Sequence, residues 1–155
     1  RLRDRQAPIL AADTIVVYAG EILGKPQDAN DARETLKRLR GRWHEVITAV
    51  ILLPAGRTAG LTRHSVTSVL VRYLSDDEIE ASIARADPFD KAGAYAIQDP
   101  LLAPVESYEG CYCNVVGLPL WPTIEMLRKA GIAVAAGVSD LLPQCESCPL
   151  RQPGS

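Results

Sequence analysis

Between Leu10 and Pro26 the chain runs Leu-Ala-Ala-Asp-Thr-Ile-Val-Val-Tyr-Ala-Gly-Glu-Ile-Leu-Gly-Lys-Pro, setting one carboxylate, Asp13, in an apolar run and one cation, Lys25, twelve positions later. A strand of β-branched residues rarely keeps a carboxylate on its buried side, because an unpaired ion away from water is costly or shifts its pKa. Asp13 is therefore expected to be buried and to have a task. Gly20-Glu21 reads as a turn that folds the chain back and returns Lys25 to the same end of the sheet. An acid that can take a proton and a fixed cation facing one small space suit attack of water on a phosphorus centre. A structural Asp–Lys pair accounts for the same residues without chemistry.

The 155 residues are one domain's worth of chain, enough to bury about two-thirds of the unfolded surface. A net charge of −2 leaves no basic footprint for a duplex or an anionic membrane, so neither a nucleic-acid polymer nor a membrane is an expected partner. The longest apolar stretch falls short of the roughly 20 residues that span a bilayer, and a cytoplasmic location is expected. The chain opens on Arg1 with Arg-Leu-Arg-Asp-Arg-Gln, which reads as the polar end of a helix or its exit loop, so an upstream segment is expected.

The four cysteines form two close pairs, Cys111-x-Cys113 and Cys145-x-x-Cys148. A zinc site needs four ligands, and His44 and His64 are scattered, so ordinary thiols are favoured over a metal knuckle or a disulfide scaffold. Strand alternation puts Cys111 and Cys113 on one face, where free cysteine acts as a small hydrophobe.

The elements that must position Asp13 and Lys25 emerge from periodicity. Residues 9–19 form an apolar strand with a short partner at 21–24. Asp28 or Asn30 caps a helix whose Ala32, Leu36 and Leu39 share one face, and Gly41 ends it. Residues 43–53 and 63–74 read as neighbouring antiparallel strands joined through Pro54-Ala55-Gly56-Arg57. Ser75-Asp76-Asp77-Glu78 is a capping box opening a helix to about Ala86, so its acids have a structural explanation. Residues 101–108 and 111–116 are expected to form a hairpin, and a last helix runs from Leu120 to about Lys129. The reading is one α/β domain over residues 1–136, with a mixed, largely antiparallel sheet flanked by helices, and a flexible tail over 137–155.

Five segments, taken in order, resemble the Maf family of nucleoside triphosphate pyrophosphatases. They are Ala12-Asp13-Thr14, Gly24-Lys25-Pro26, Leu39 to His44 leading into Thr48-Ala49-Val50, Asp90 to Gln98, and Asn114 to Leu120. Several motifs in the right order are far more specific than one short pattern. The resemblance implies a fold similar to the inosine triphosphate pyrophosphatases. It also implies hydrolysis of a nucleoside triphosphate to monophosphate and pyrophosphate, with a divalent metal cation, magnesium or manganese, as cofactor. Family members begin with a strand and a Ser-Pro-Arg-Arg phosphate loop, followed by a glutamate and a lysine; this chain is expected to begin after them and to be inactive by itself. A second departure is Ala96 and Asp99, where relatives carry glycines.

By the same resemblance Asp13 is the general base, Lys25 steadies phosphate charge, Thr14 helps select the nucleotide, and Lys91 is a weaker phosphate contact. Asp13 is also the candidate metal ligand, since magnesium binds through one or two carboxylates plus substrate phosphates. Gln98 carries the choice of base. Its amide presents a donor and an acceptor side by side, matching O4 and N3–H of uracil or thymine. The expected substrates are dTTP and UTP, with a homodimer as the assembly this reading allows. The rival reading is a nucleotide-binding regulator of cell division or septum formation without significant catalysis.

Overall fold

The computed structural model describes residues 6–134 and 142–151. Its strands are β1 (Ile9–Tyr18), β2 (Glu21–Leu23), β3 (Trp43–Leu53), β4 (Leu61–Val71) and β5 (Val105–Glu109), and its helices α1 (Ala29–Leu39), α2 (Asp76–Ala84), α3 (Tyr112–Val116) and α4 (Leu120–Lys129). The five strands make one sheet in the order β2-β1-β3-β4-β5. β1 and β2 pair antiparallel, Val16 against Leu23, and β4 and β5 pair antiparallel with an irregularity between Leu70 and Val71. β3 and β4 are neighbours linked by only seven residues, 54–60, too few for a parallel crossover. The sheet is thus largely antiparallel and flanked by helices, as the sequence predicts. No helix among the described residues is long and apolar enough to cross a membrane.

The chain divides into two compact units. The second, Thr14–Ile47 with Thr67–Glu109, holds most of the expected site. Asp28 caps α1 by accepting from the N–H groups of Asn30 and Asp31, both at 2.9 Å, a contribution of about 1 kcal/mol. The apolar face of α1 then buries Ala32, Leu36 and Leu39 completely, each leucine contributing about 2 kcal/mol. Gly41 ends the helix at φ +69°, a conformation that costs a residue with a Cβ. The capping box of α2 is formed in both directions, between Ser75 and Glu78. Arg33 of α1 makes a bidentate ion pair with Glu80 of α2, and α1 also packs on the turn at Ala92–Ala94.

In the first unit, which contains Thr48–Val66 and Gly110–Ser155, α4 places Met126 in a core with Val50 and Leu52, bordered by Leu61, Leu118 and Leu127. A second cluster gathers Cys111, Cys113, Trp121, Ile124 and Cys148, with Leu142 and Leu150 packed on it. The segment 142–151 therefore lies against this core, while residues 137–141 and 152–155 of the expected tail fall outside the described residues.

The expected hairpin of 101–108 with 111–116 is not what forms. Only β5 is a strand, and it pairs with β4; Cys111 instead precedes α3, and Cys113 lies within that helix. Gly110 at φ +132° and Gly117 at φ +121° break extended pairing at both ends, and the Asn114 N–H closes a helical turn onto the Cys111 carbonyl. Cys111 and Cys113 are therefore not alternate residues on one strand face. Both are buried and free of disulfides, as is Cys148. Burial, reinforced by a hydrogen bond with the Cys148 thiol, pushes the Cys111 thiol up to about 12, which keeps it protonated and unreactive at neutral pH.

Candidate active site

Two loops of the second unit are tied together by their main chains. The Gly93 N–H donates to the Gly24 carbonyl at 3.1 Å, bringing the segment that carries Lys25 against the segment 91–98. Gly93 fits there because it lacks a side chain: its φ is +72°, and a Cβ would lie 2.9 Å from Cγ2 of Val16 on β1. Thr14 precedes Val16 by two positions and so shares its face of β1. Thr14, Lys25, Lys91 and Gln98 are all in this unit.

Lys91 and Gln98 line a cavity of about 330 Å³ with Ser82, Arg85, Tyr95 and Asp99, among others. Gln98 is exposed there, its amide open to a ligand. Lys91 donates to the Asp90 carboxylate at 2.5 Å and to the Asp87 carbonyl at 3.0 Å. The hydrogen bond from Lys91, aided by its charge and by that of Lys25, holds the Asp90 carboxyl below its usual range. Lys91 thus helps shape its loop, while Lys25 is exposed.

The segment carrying Gln98 is anchored at both ends. On its C-terminal side, Asp99 accepts the N–H groups of Leu101 at 2.8 Å and Leu102 at 3.1 Å through Oδ1, and its other oxygen faces Arg85 at 3.5 Å. This Asx-type turn fixes the chain just after Gln98. On its N-terminal side, the Tyr95 hydroxyl lies 2.7 Å from Nε2 of His44, with the two rings edge to face at 5.5 Å. Burial lowers the His44 pKa to about 4, against a small upward pull from the Arg42 main chain, and burial raises that of Tyr95. Both are therefore neutral at pH 7, and one hydrogen bond joins the phenol to Nε2, with donor and acceptor set by the ring tautomer. Nδ1 has no partner with full hydrogen-bond geometry.

Asp13 is not on a buried face. It is exposed, like residues 9–12 of β1 before it, with Ile9 at 45% and Leu10 at 41%. A carboxylate needs no buried partner at such a position, so burial cost does not mark it out, contrary to the expectation from the apolar run. It closes a segment of the first unit and is absent from the lining of the Gln98 cavity. Among the described residues, no group of three or more His, Cys, Asp or Glu side chains could hold a metal ion.

Motifs and spacing alone miss the His44–Tyr95 pair, although the sequence carries one signal of it. His44 falls on the same alternation of β3 as Val46, Thr48, Val50 and Leu52, all buried, so a titratable ring sits where the pattern demands a core residue.

The cavity that Gln98 lines is polar and mixed in charge, with Arg85 and Lys91 beside Asp87 and Asp99, a lining suited to a polar small molecule. Residues 1–130 match the family described as Maf-like protein, and the chain belongs to that family. It is 55% identical over 143 residues to a dTTP/UTP pyrophosphatase of Thermomicrobium roseum, covering 92% of this chain and 65% of the relative. Proteins of the same name from Nitrosomonas europaea and Chromobacterium violaceum are 50% and 48% identical over 82% and 81% of this chain, and 60% and 63% of theirs. The chain spans a little under two thirds of the length of these relatives.

Proposed function

We propose that the full-length protein hydrolyses dTTP and UTP to the monophosphate and pyrophosphate. The observation that carries this reading is the Gly93–Gly24 clamp, which sets the Lys25 segment beside the Lys91–Gln98 segment in a Maf-like chain whose relatives are named for that activity. Gln98 reads the base, donating from its amide nitrogen to O4 and accepting N3–H at its oxygen. Thr14 contacts the nucleotide through its hydroxyl, and Lys25 offsets phosphate charge as a compact ammonium. Asp13 holds the proton of the attacking water at a carboxylate oxygen, and its exposure leaves that oxygen reachable. A divalent cation fits this donor set only if substrate and water complete its shell, with Asp13 as the protein ligand, as suits magnesium; bound, it would neutralise polyphosphate charge. In this reading the reaction takes place in the cytoplasm on a free nucleotide, with a homodimer as the assembly.

Pyrophosphate release from UTP, dTTP and CTP by the full-length protein tests this. Turnover of the two thymine/uracil nucleotides with magnesium and none in excess chelator is expected; UTP binding without pyrophosphate release would favour a catalytically silent regulator. Gln98→Glu is expected to lower kcat/KM for UTP by about 100-fold, because an anion replaces a donor beside O4 and leaves polar groups unpaired. CTP, whose exocyclic amine can donate to the new carboxylate, should lose little. Equal losses on UTP and CTP would show that Gln98 only shapes its loop.

A further inference from the structure

We propose that His44 and Tyr95 form a positioning pair that sets the Gln98 amide for base recognition, an inference that rests on the assignment of dTTP and UTP as substrates. The segment from Tyr95 to Gln98 has few other internal ties: Asp99 N–H donates to the Ala96 carbonyl at 3.1 Å, and the Asx turn holds residues 99–102. Immediately before Tyr95 lies a left-handed pair, Gly93 at φ +72° and Ala94 at φ +66°, a conformation that an alanine adopts only when its surroundings enforce it. The turn is closed by the Ala94 N–H donating to the Lys91 carbonyl at 3.1 Å and by the Gly93–Gly24 bond, and on its far side the Tyr95 ring, 7% exposed, is bonded to a His44 that is 4% exposed on the sheet. A neutral histidine suits this task. In either tautomer its Nε2 holds the phenolic oxygen at a fixed point, 2.7 Å away. Tyr95 and Gln98 line the same cavity, so a shift of the ring moves the amide that faces the base.

Three variants separate positioning from bulk packing. Tyr95→Phe keeps the ring and drops the hydroxyl, His44→Leu keeps comparable volume and drops the hydrogen-bond partner, and His44→Gln keeps a polar partner. Hydrogen exchange, which needs no activity, should show faster exchange confined to amides 96–99 in the first two variants and near-normal protection in the third. In the full-length protein, the ratio of kcat/KM for UTP over CTP should fall about tenfold in the first two, the worth of one hydrogen bond, while kcat on UTP changes less than about twofold. Unchanged exchange at 96–99 overturns the proposal, whatever the enzyme does. Equal losses on UTP and CTP, or the same loss in His44→Gln as in His44→Leu, overturn it in favour of a packing role. A wild-type protein without preference for UTP over CTP overturns both this proposal and the substrate assignment it rests on, and is recognised before any variant is made.

Discussion

Gly93→Ala is expected to cost the protein about 2–4 kcal/mol of stability, read as a fall in the urea midpoint at unchanged slope. Two penalties add. A residue with a Cβ at φ +72° is strained by about 1 kcal/mol, and the new methyl would meet Cγ2, Cγ1 and Cβ of Val16 at 2.9, 3.1 and 3.2 Å. Val16 is 2% exposed and branches at the very atom being approached, so it cannot swing aside as a long side chain would. The two contributions can be told apart. Val16→Ala removes the two nearer methyls and leaves the Cβ contact at 3.2 Å, so in that background Gly93→Ala should cost the backbone share and little more, leaving a coupling energy of about 1–2 kcal/mol between the two positions. A single-mutant loss below about 0.5 kcal/mol would mean that the loop does not lie on β1 as described. A displaced Gly93 also releases the bond to Gly24 and separates the Lys25 segment from the segment that carries Gln98.

The contrast between the two ends of this site shows what sequence makes legible. Local rules suffice where a few adjacent residues decide the outcome: Asp28 caps α1, Ser75 and Glu78 cap each other, and the alternation of β3 marks its length correctly. They fail at 111–116, where Tyr112, Val115 and Val116 favour a strand by type, yet flanking glycines in conformations unsuited to a ladder and packing of Cys111 and Cys113 into a core give one helical turn. Asp13 is misread for another reason. Hydrophobic neighbours say that a strand exists but not that every part of it is covered, and the first half of β1 is exposed. The His44–Tyr95 contact spans 51 positions and lies in no local pattern, although the phase of β3 does mark His44 as buried. Resemblance points to Gln98 and Lys91 but not to the cavity they share, and the need for glycine at position 93 arises from Val16 on a distant strand.

In the full-length protein, Asp13→Asn is expected to reduce turnover of UTP at saturating magnesium by about 100-fold or more, while the fold and nucleotide affinity stay within about twofold of wild type. A urea midpoint that stays within about 0.5 kcal/mol of wild type separates lost chemistry from lost structure. Asparagine keeps the shape and one acceptor oxygen but cannot hold the proton taken from water, so the loss should appear in kcat rather than KM. Metal ligation by Asp13 predicts a different signature. If the carboxylate chiefly holds the cation, raising magnesium or replacing it with manganese should restore a large part of the lost rate, because a weakened site is refilled by mass action. If it is the base, no concentration of cation restores the rate, since what is missing is an acceptor for the proton. Full activity of Asp13→Asn at low magnesium would remove Asp13 from both roles and leave Lys25 and Gln98 as residues that bind a nucleotide without explaining how it is cleaved.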